Sequence, residues 1–267
     1  MPEGDTIHRL AAQLRALLAG QPVVRVEVAR RQMGGPPPPP PGTLVDGVEA
    51  AGKHLLIRFA DGTTLRTHLQ MNGRWRWYAT DEPSRWPRHR MRARVEVPGV
   101  EAVCFDAPVA VLERAPAVAH LGPDLCRPDA DLDGCVARMA TMADPATTVG
   151  DVLLDQRIAC GVGNVFKSEI CFACGIDPAT PIGTVREPDR RRLVATAAAQ
   201  LQANLGAGPR TTVAGQPGSL AVYGRARRPC RRCGTTIRVT RTGEHARTTY
   251  WCPTCQARPN GLAPSPG

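Results

Sequence analysis

Cys230-Arg231-Arg232-Cys233 and Cys252-Pro253-Thr254-Cys255, with 18 residues between them, decide the fold of the C-terminal part of this chain. Each Cys-x-x-Cys turn directs two thiolates at one point. Two such turns set four sulfurs at the corners of a tetrahedron, the coordination of a structural zinc. The residues between them carry few apolar side chains, so the unit needs the metal to fold. Thr236 to Thr240 and Arg247 to Trp251 alternate as two strands joined near Gly243, which predicts a zinc-held β-hairpin with Arg247 on its return strand. From there Arg247 either reaches a phosphate or stays a solvated surface arginine.

The other six of the ten cysteines lack a framework spacing in a chain of 267 residues, so a reducing compartment is expected rather than disulfides. Cys171 and Cys174 are a single pair at helical spacing, which reads as buried small apolar residues rather than a second metal site. The net charge of +10 and pI near 9.5 point to a polyanionic partner, nucleic acid before an anionic membrane surface. No signal-peptide pattern is visible, and no apolar run approaches the roughly 18 residues of a membrane span. A cytoplasmic monomer with no membrane partner is expected. Of the 34 basic residues 32 are arginine, and Lys53 and Lys167 are the only lysines. Either codon bias left two escapes, or these positions need a compact point charge.

Upstream of the zinc unit, Pro188 opens a helix running through Leu205, with proline in its favoured first turn. Thr148 to Ala159 reads as a helix with Thr148 and Asp151 in capping-box spacing, and Cys135 to Met139 as a shorter one. The turn Gly161-Val162-Gly163-Asn164 then leads into a helix over Val165 to Ala173, giving a helix–two-turn–helix candidate. Gly163 and Asn164 at that helix start suit a phosphate, or an ordinary cap. Gly206 to Ser219 is rich in Gly, Pro and Thr and is expected to be mobile.

Before about Leu112 the periodicity is that of strands: Val23 to Val28, Leu55 to Phe59, Thr63 to His68, Arg74 to Tyr78, Arg92 to Val97 and Val103 to Phe105. This predicts an all-β unit of sandwich or barrel type, interrupted by the solvated proline run of Met33 to Gly42. Ala51-Gly52-Lys53-His54 would set Lys53 at a hairpin mouth. Gln70-Met71-Asn72-Gly73 would form a turn whose methionine is either a wedge for opening a base stack or tucked into the core. His68 reads as a structural, hydrogen-bonded histidine. Asp5 to Ala19 is an amphipathic helix ended by Gly20, and it anchors Met1-Pro2-Glu3-Gly4 against the core. With the initiator removed, Pro2 carries a free secondary amine, a nucleophile because an α-amino group titrates near 7.7–8.0 rather than about 10.4 as a lysine does. Glu3 beside it is placed for acid–base work. Met-Pro-Glu also begins many proteins by chance.

Taken together, Pro2-Glu3-Gly4, Gly52-Lys53, His68 to Gly73, Asp155-Gln156 through Gly161-Val162-Gly163-Asn164 to Ser168-Glu169, Val222-Tyr223-Gly224-Arg225 and the zinc unit with Arg247 to Cys252 resemble the formamidopyrimidine-DNA glycosylase/endonuclease VIII family over nearly the whole chain. The resemblance implies an α+β multidomain protein. Residues 1–130 would be a catalytic β-sandwich with a leading helix, 131–224 a helix–two-turn–helix domain, 225–258 a zinc finger and 259–267 a disordered tail, with damaged duplex DNA held in the cleft between domains. It implies Pro2 as Schiff-base nucleophile, Glu3 as acid/base partner, and Lys53 as second catalytic residue near the lesion's phosphate and sugar. Asn164 and Arg247 would clamp phosphates flanking the everted nucleotide, and Gln70, Met71 and Asn72 would fill the void it leaves. One structural zinc on Cys230, Cys233, Cys252 and Cys255 is the only metal implied.

The implied reaction is N-glycosidic cleavage followed by β- and δ-elimination at the abasic site. The opening Pro2-Glu3-Gly4 looks like the endonuclease VIII branch, which implies oxidised pyrimidines. A short Gly206 to Leu220 and the absence of an Arg-x-Phe pair within Asp106 to Glu113 agree, whereas Met71 is common to the branch that takes formamidopyrimidine and 8-oxoguanine. Two other readings stand beside these: a damaged-DNA binder without chemistry, which has no need of Pro2, Glu3 and Lys53 together, and an RNA- or ribosome-binding protein, which leaves the N-terminus unexplained.

Overall fold

The computed structural model describes residues 2–29, 35–81, 87–242 and 246–256. The start of the proline run at Met33, the hairpin turn at Gly243 and the tail 259–267 lie outside these. The chain divides into two compact units, Met1–His120 and Leu121–Gly267.

In the first unit, Ile7, Ala11, Leu14 and Leu18 fall at helical spacing on one face of α1 (Gly4–Leu18), and all four are buried. Ala19 caps the helix, donating its N–H to the Arg15 carbonyl at 3.0 Å, and Gly20 at φ +77° turns the chain away. Eight strands follow: β1 (Arg25–Val28), β2 (Val45–Ala51), β3 (His54–Phe59), β4 (Thr64–His68), β5 (Arg74–Ala79), β6 (Met91–Val97), β7 (Val100–Phe105) and β8 (Val109–Glu113). They form two four-stranded sheets, ordered β1-β6-β7-β5 and β2-β3-β4-β8, with every neighbour antiparallel. One core unites their inner faces with α1, from Val26, Val95 and Cys104 on one sheet to Val48, Ile57 and Leu65 on the other. Arg15 ties the helix to the second sheet by donating from Nε to the Val48 carbonyl at 2.7 Å.

Strands β2 and β8 are absent from the sequence reading, each for a physical reason. Asp46, Gly47 and two alanines dilute the apolar pattern of β2, and its pairing to β3 slips between Val45 and Gly47. Val109-Ala-Val-Leu is a short continuous apolar run, which periodicity alone does not assign.

The second unit holds α2 (Leu132–Thr141), α3 (Val149–Leu154), α4 (Asn164–Cys174), α5 (Glu187–Ala203) and the hairpin of β9 (Arg238–Thr242) with β10 (Arg247–Trp251). Thr148 caps α3 as expected, its Oγ1 accepting from Asp151 N–H at 3.2 Å and donating to the Asp151 carboxylate at 2.6 Å. The helix nevertheless stops at Leu154, not Ala159. The Asp155 carboxylate accepts the Arg157 backbone N–H at 3.0 Å, and Gln156 donates from Nε2 to the carbonyls of Leu154 and Val162 while its Oε1 accepts from Gly161 N–H. Side chains thus take over the backbone groups that a longer helix would have paired. Gly206 to Ser219 is tied at its base by Asn204, which exchanges two hydrogen bonds with the Thr211 backbone at 2.7 and 2.8 Å.

Candidate active site and phosphate-binding residues

The N-terminal end of α1 sets Pro2 and Glu3. Glu3 is the N-cap residue: its carbonyl accepts the N–H groups of Thr6 and Ile7 at 3.0 and 3.1 Å, so its backbone is held by the helix itself. Its side chain is wholly buried while Pro2 is half-buried, which places a carboxyl in a low-dielectric setting beside the chain terminus. Asp5, also wholly buried, is 3.5 Å from Arg9 one turn on and accepts from the Thr6 hydroxyl at 3.2 Å.

Lys53 lies in the tight turn between β2 and β3, half-buried. Across the β3–β4 pair His54 faces His68 with ring centroids 4.7 Å apart. Burial, then His68 and Arg66, push His54 down to about 3; burial, then Lys53 and Arg66, lower His68. Lys53 therefore sits where its charge is felt at His68, the residue that leads into the Gln70–Gly73 turn. In that turn Gln70 has φ +47°, and Gly73 is required because a Cβ there would lie 2.5 Å from the Leu69 carbonyl oxygen. The consequence is that Gln70, Met71 and Asn72 all project into solvent, with Met71 59% exposed rather than tucked into the core.

Two imidazoles held neutral make a stability signature. Folded values below the ordinary one mean the stabilisation is complete above about pH 6.5 and is lost as pH falls, by up to about 1.4 kcal/mol per pH unit for each histidine. Glu113, lowered by the Arg66 guanidinium against the opposing cost of its burial, adds a loss of the same sign only below the usual carboxylate range. Thermal melts should therefore fall between pH 6.5 and 4.5, and His54→Gln should flatten that part of the profile; an unchanged slope in the variant would assign the loss elsewhere.

In the second unit Asn164 opens α4 and is 5% exposed. Its Nδ2 donates to the Thr248 carbonyl on β10 at 2.7 Å, and its Oδ1 has no hydrogen-bond partner among the described residues. Arg247, the neighbour of Thr248, is exposed and borders a 730 Å³ groove whose other walls include Thr148, Asp151, Asp155 and Arg157. One hydrogen bond thus links the helix start to the strand that carries Arg247, bringing the two expected phosphate contacts into one region.

The four cysteine sulfurs lie within 4.8 Å of one another, with Cys230 to Cys255 at 3.9 Å and Cys233 to Cys252 at 3.5 Å. A zinc–sulfur length of about 2.3 Å gives a tetrahedron with edges near 3.8 Å, so the set fits zinc. Backbone N–H groups of Arg232 and Cys255 approach the sulfurs of Cys230 and Cys252 at 3.4 and 3.5 Å, as a thiolate knuckle requires. The zinc is structural: the four thiolates would fill all four of its coordination positions.

Family profiles match in chain order: the formamidopyrimidine-DNA glycosylase N-terminal domain over residues 1–108, its H2TH domain over 121–214, and the zinc finger found in FPG and IleRS over 228–258. The chain belongs to the formamidopyrimidine-DNA glycosylase/endonuclease VIII family. Within the family it falls in the endonuclease VIII branch. It is 41% identical to "Probable endonuclease 8 2" of Streptomyces coelicolor, covering 100% of this chain and 97% of the relative. It is 42% identical to "DNA-(apurinic or apyrimidinic site) lyase Nei2" of Mycolicibacterium smegmatis, covering 96% and 99%. The solved complex of a mutant of Lactococcus lactis FPG with DNA containing Fapy-dG shares the fold, with a TM-score of 0.80 at 20% identity over 96% of this chain and 100% of that one.

Among the family's residues in this chain, sequence reasoning assigned no role to Glu169 or Gln156. Glu169 is 1% exposed, and its carboxylate accepts three consecutive backbone N–H groups, Ala221 at 2.8 Å, Val222 at 2.9 Å and Tyr223 at 2.7 Å, together with the Thr212 hydroxyl. It fixes the chain entering the zinc finger, where Tyr223 packs 4.8 Å from Tyr250. An acidic residue directly before the apolar run Ile170 to Cys174 of the helix is the sequence signal for such a role.

Proposed function

We propose that this DNA glycosylase/AP lyase of base-excision repair attacks C1′ of an everted damaged nucleotide with the secondary amine of Pro2. As the amine bonds to C1′ the N-glycosidic bond breaks and the base leaves with a proton managed by Glu3; the C1′–O4′ bond then opens, the amine's proton passes to O4′, and a cationic iminium joins Pro2 to the sugar. Loss of the C2′ proton then expels the 3′ phosphate, a second elimination expels the 5′ phosphate, and water releases the sugar remnant from Pro2. Lys53 holds the phosphate and sugar beside the lesion. Gln70, Met71 and Asn72 occupy the gap in the duplex, while Asn164 and Arg247 grip the flanking phosphates, and the +10 charge supplies sequence-independent affinity. Oxidised pyrimidines are the preferred lesions, and the protein works as a cytoplasmic monomer.

The observation that carries this reading is the burial of the Glu3 carboxyl at the N-terminal end of α1, directly after Pro2. A pure DNA binder gains nothing from a carboxyl there. Borohydride reduction during incubation with duplexes holding an abasic site, thymine glycol or 8-oxoguanine tests it. A covalent protein–DNA band is expected on the abasic and thymine glycol duplexes and a much weaker one on 8-oxoguanine. No band on any of them, with tight salt-sensitive binding intact, would leave a non-catalytic clamp; a reversed lesion order would move the preference to purines.

A further inference from the structure

Lys167 is the second of only two lysines in a chain that otherwise uses arginine, and it is 1% exposed. Its Nζ donates to Thr249 Oγ1 at 2.7 Å, from the first turn of α4 to the middle of β10. Its stem runs past α3 so closely that a Cβ on Gly150 would lie 3.5 Å from Lys167 Cδ. Three successive residues of β10 are bonded to one face of α4: Thr248 carbonyl to Asn164, Thr249 hydroxyl to Lys167, and Tyr250 N–H to Ser168 Oγ at 3.4 Å. The helix positions involved are i, i+3 and i+4, the spacing that makes a stripe along one side.

We propose that Lys167 is a positioning residue for phosphate binding: by fixing β10 along α4 it sets the place of Arg247 relative to Asn164, so that the two grip the backbone as a pair. This rests on the reading of Asn164 and Arg247 as phosphate contacts. The argument for lysine is one of shape. An ammonium on a thin apolar stem fits a crevice bordered by Gly150 and needs three acceptors at most, whereas a guanidinium would bring five donors in a flat fork into the same buried space. Removing the Nζ–Oγ1 bond takes away one of the three ties between β10 and α4 and loosens the Thr249 hydroxyl, which itself donates to the Arg247 carbonyl at 3.3 Å, while leaving the Arg247 side chain intact.

The test uses the zinc-loaded full-length protein and a duplex containing a tetrahydrofuran abasic analogue, with affinity measured across a salt series. The variants are Lys167→Met, Thr249→Val, Thr249→Ser, Arg247→Ala and Lys167→Met with Arg247→Ala. Each phosphate contact contributes about 0.9 to the slope of log affinity against log salt. Arg247→Ala should lower the slope by about one and weaken binding roughly tenfold. Lys167→Met and Thr249→Val should each reproduce most of that loss, Thr249→Ser should keep the wild-type slope, and the double variant should add little to Arg247→Ala alone. Thermal melts and zinc content show which variants are folded at the assay temperature, and Thr249→Val removes the same bond, together with the hydroxyl's contact to the Arg247 carbonyl, should Lys167→Met fail to fold. If Arg247→Ala leaves slope and affinity unchanged, the phosphate-contact reading fails first. If Arg247→Ala has its effect while folded Lys167→Met and Thr249→Val keep the wild-type slope, or if the double variant's losses multiply, Lys167 does not act through Arg247 and the proposal is overturned.

Discussion

A chain that keeps Met1, or whose terminal amine is acetylated, is expected to lose at least about a thousandfold of its strand-cleaving activity and to give no reducible DNA adduct. The secondary amine of proline forms, once the base has left, an iminium that is charged from the outset, so it acidifies C2′ without a prior protonation. Blocking it removes the covalent route, not an adjustable fraction of it. Pro2→Gly keeps a primary amine and should retain a reduced, trappable activity. Glu3→Gln keeps the shape of a wholly buried side chain but removes its proton chemistry, for a loss of about a hundredfold to ten-thousandfold on a base-bearing lesion. On an abasic site, already an aldehyde in equilibrium, Glu3→Gln should lose much less, since no base has to depart. The measurement is borohydride trapping and single-turnover cleavage of the two substrates side by side. Equal losses on both would remove Glu3 from the base-departure step, and an adduct formed by the acetylated chain would remove Pro2 as the nucleophile.

What the sequence makes legible divides by the range of the interactions that decide it. The zinc ligands could be read because their spacing is a local constraint, and α1 because Ile7, Ala11, Leu14 and Leu18 repeat with the helix. The bulged β2 and the short β8 could not be, because their existence depends on pairing with β3 and β4 and not on their own patterns. The end of α3 at Leu154 follows from Asp155 and Gln156, whose side chains bond to backbone groups in turns that only the folded chain brings within reach. Asn164 was visible as a helix-start residue; that its amide is already engaged by the Thr248 carbonyl, 84 residues away, was not. The same holds for Lys167 and Glu169, whose partners lie 82 and 43 to 54 residues downstream. Their signal in the sequence is that charged residues stand in the first half of a helix whose second half is apolar, and that Lys167 is one of only two lysines.

Removing zinc is the other perturbation with a large expected effect, and the size of the local core shows why. Around the hairpin the buried cluster consists of Phe172, Ala221, Val222, Cys230, Ile237 and Cys252, so two of its six members are themselves metal ligands. Without the ion those thiols contribute little more than small apolar side chains, and a two-stranded hairpin with so small a core does not hold in water. Zinc–thiolate binding in such units supplies about 10–16 kcal/mol of folding free energy, far more than the remaining contacts can replace. Chelation, or Cys252→Ser at a wholly buried ligand, should therefore unfold β9 and β10. It would take away the Thr248 carbonyl from Asn164 and the Thr249 hydroxyl from Lys167, and set Arg247 adrift. Affinity for an abasic-analogue duplex should drop by at least about a hundredfold, with a shallower salt dependence as phosphate contacts are lost. The first unit should melt as before, because its core contains no residue of the zinc finger. Circular dichroism and calorimetry on zinc-loaded and chelated protein, beside the binding series, separate these effects. Chelated protein that still binds the duplex with the zinc-loaded salt slope would show that the hairpin, and Arg247 with it, takes no part in holding DNA.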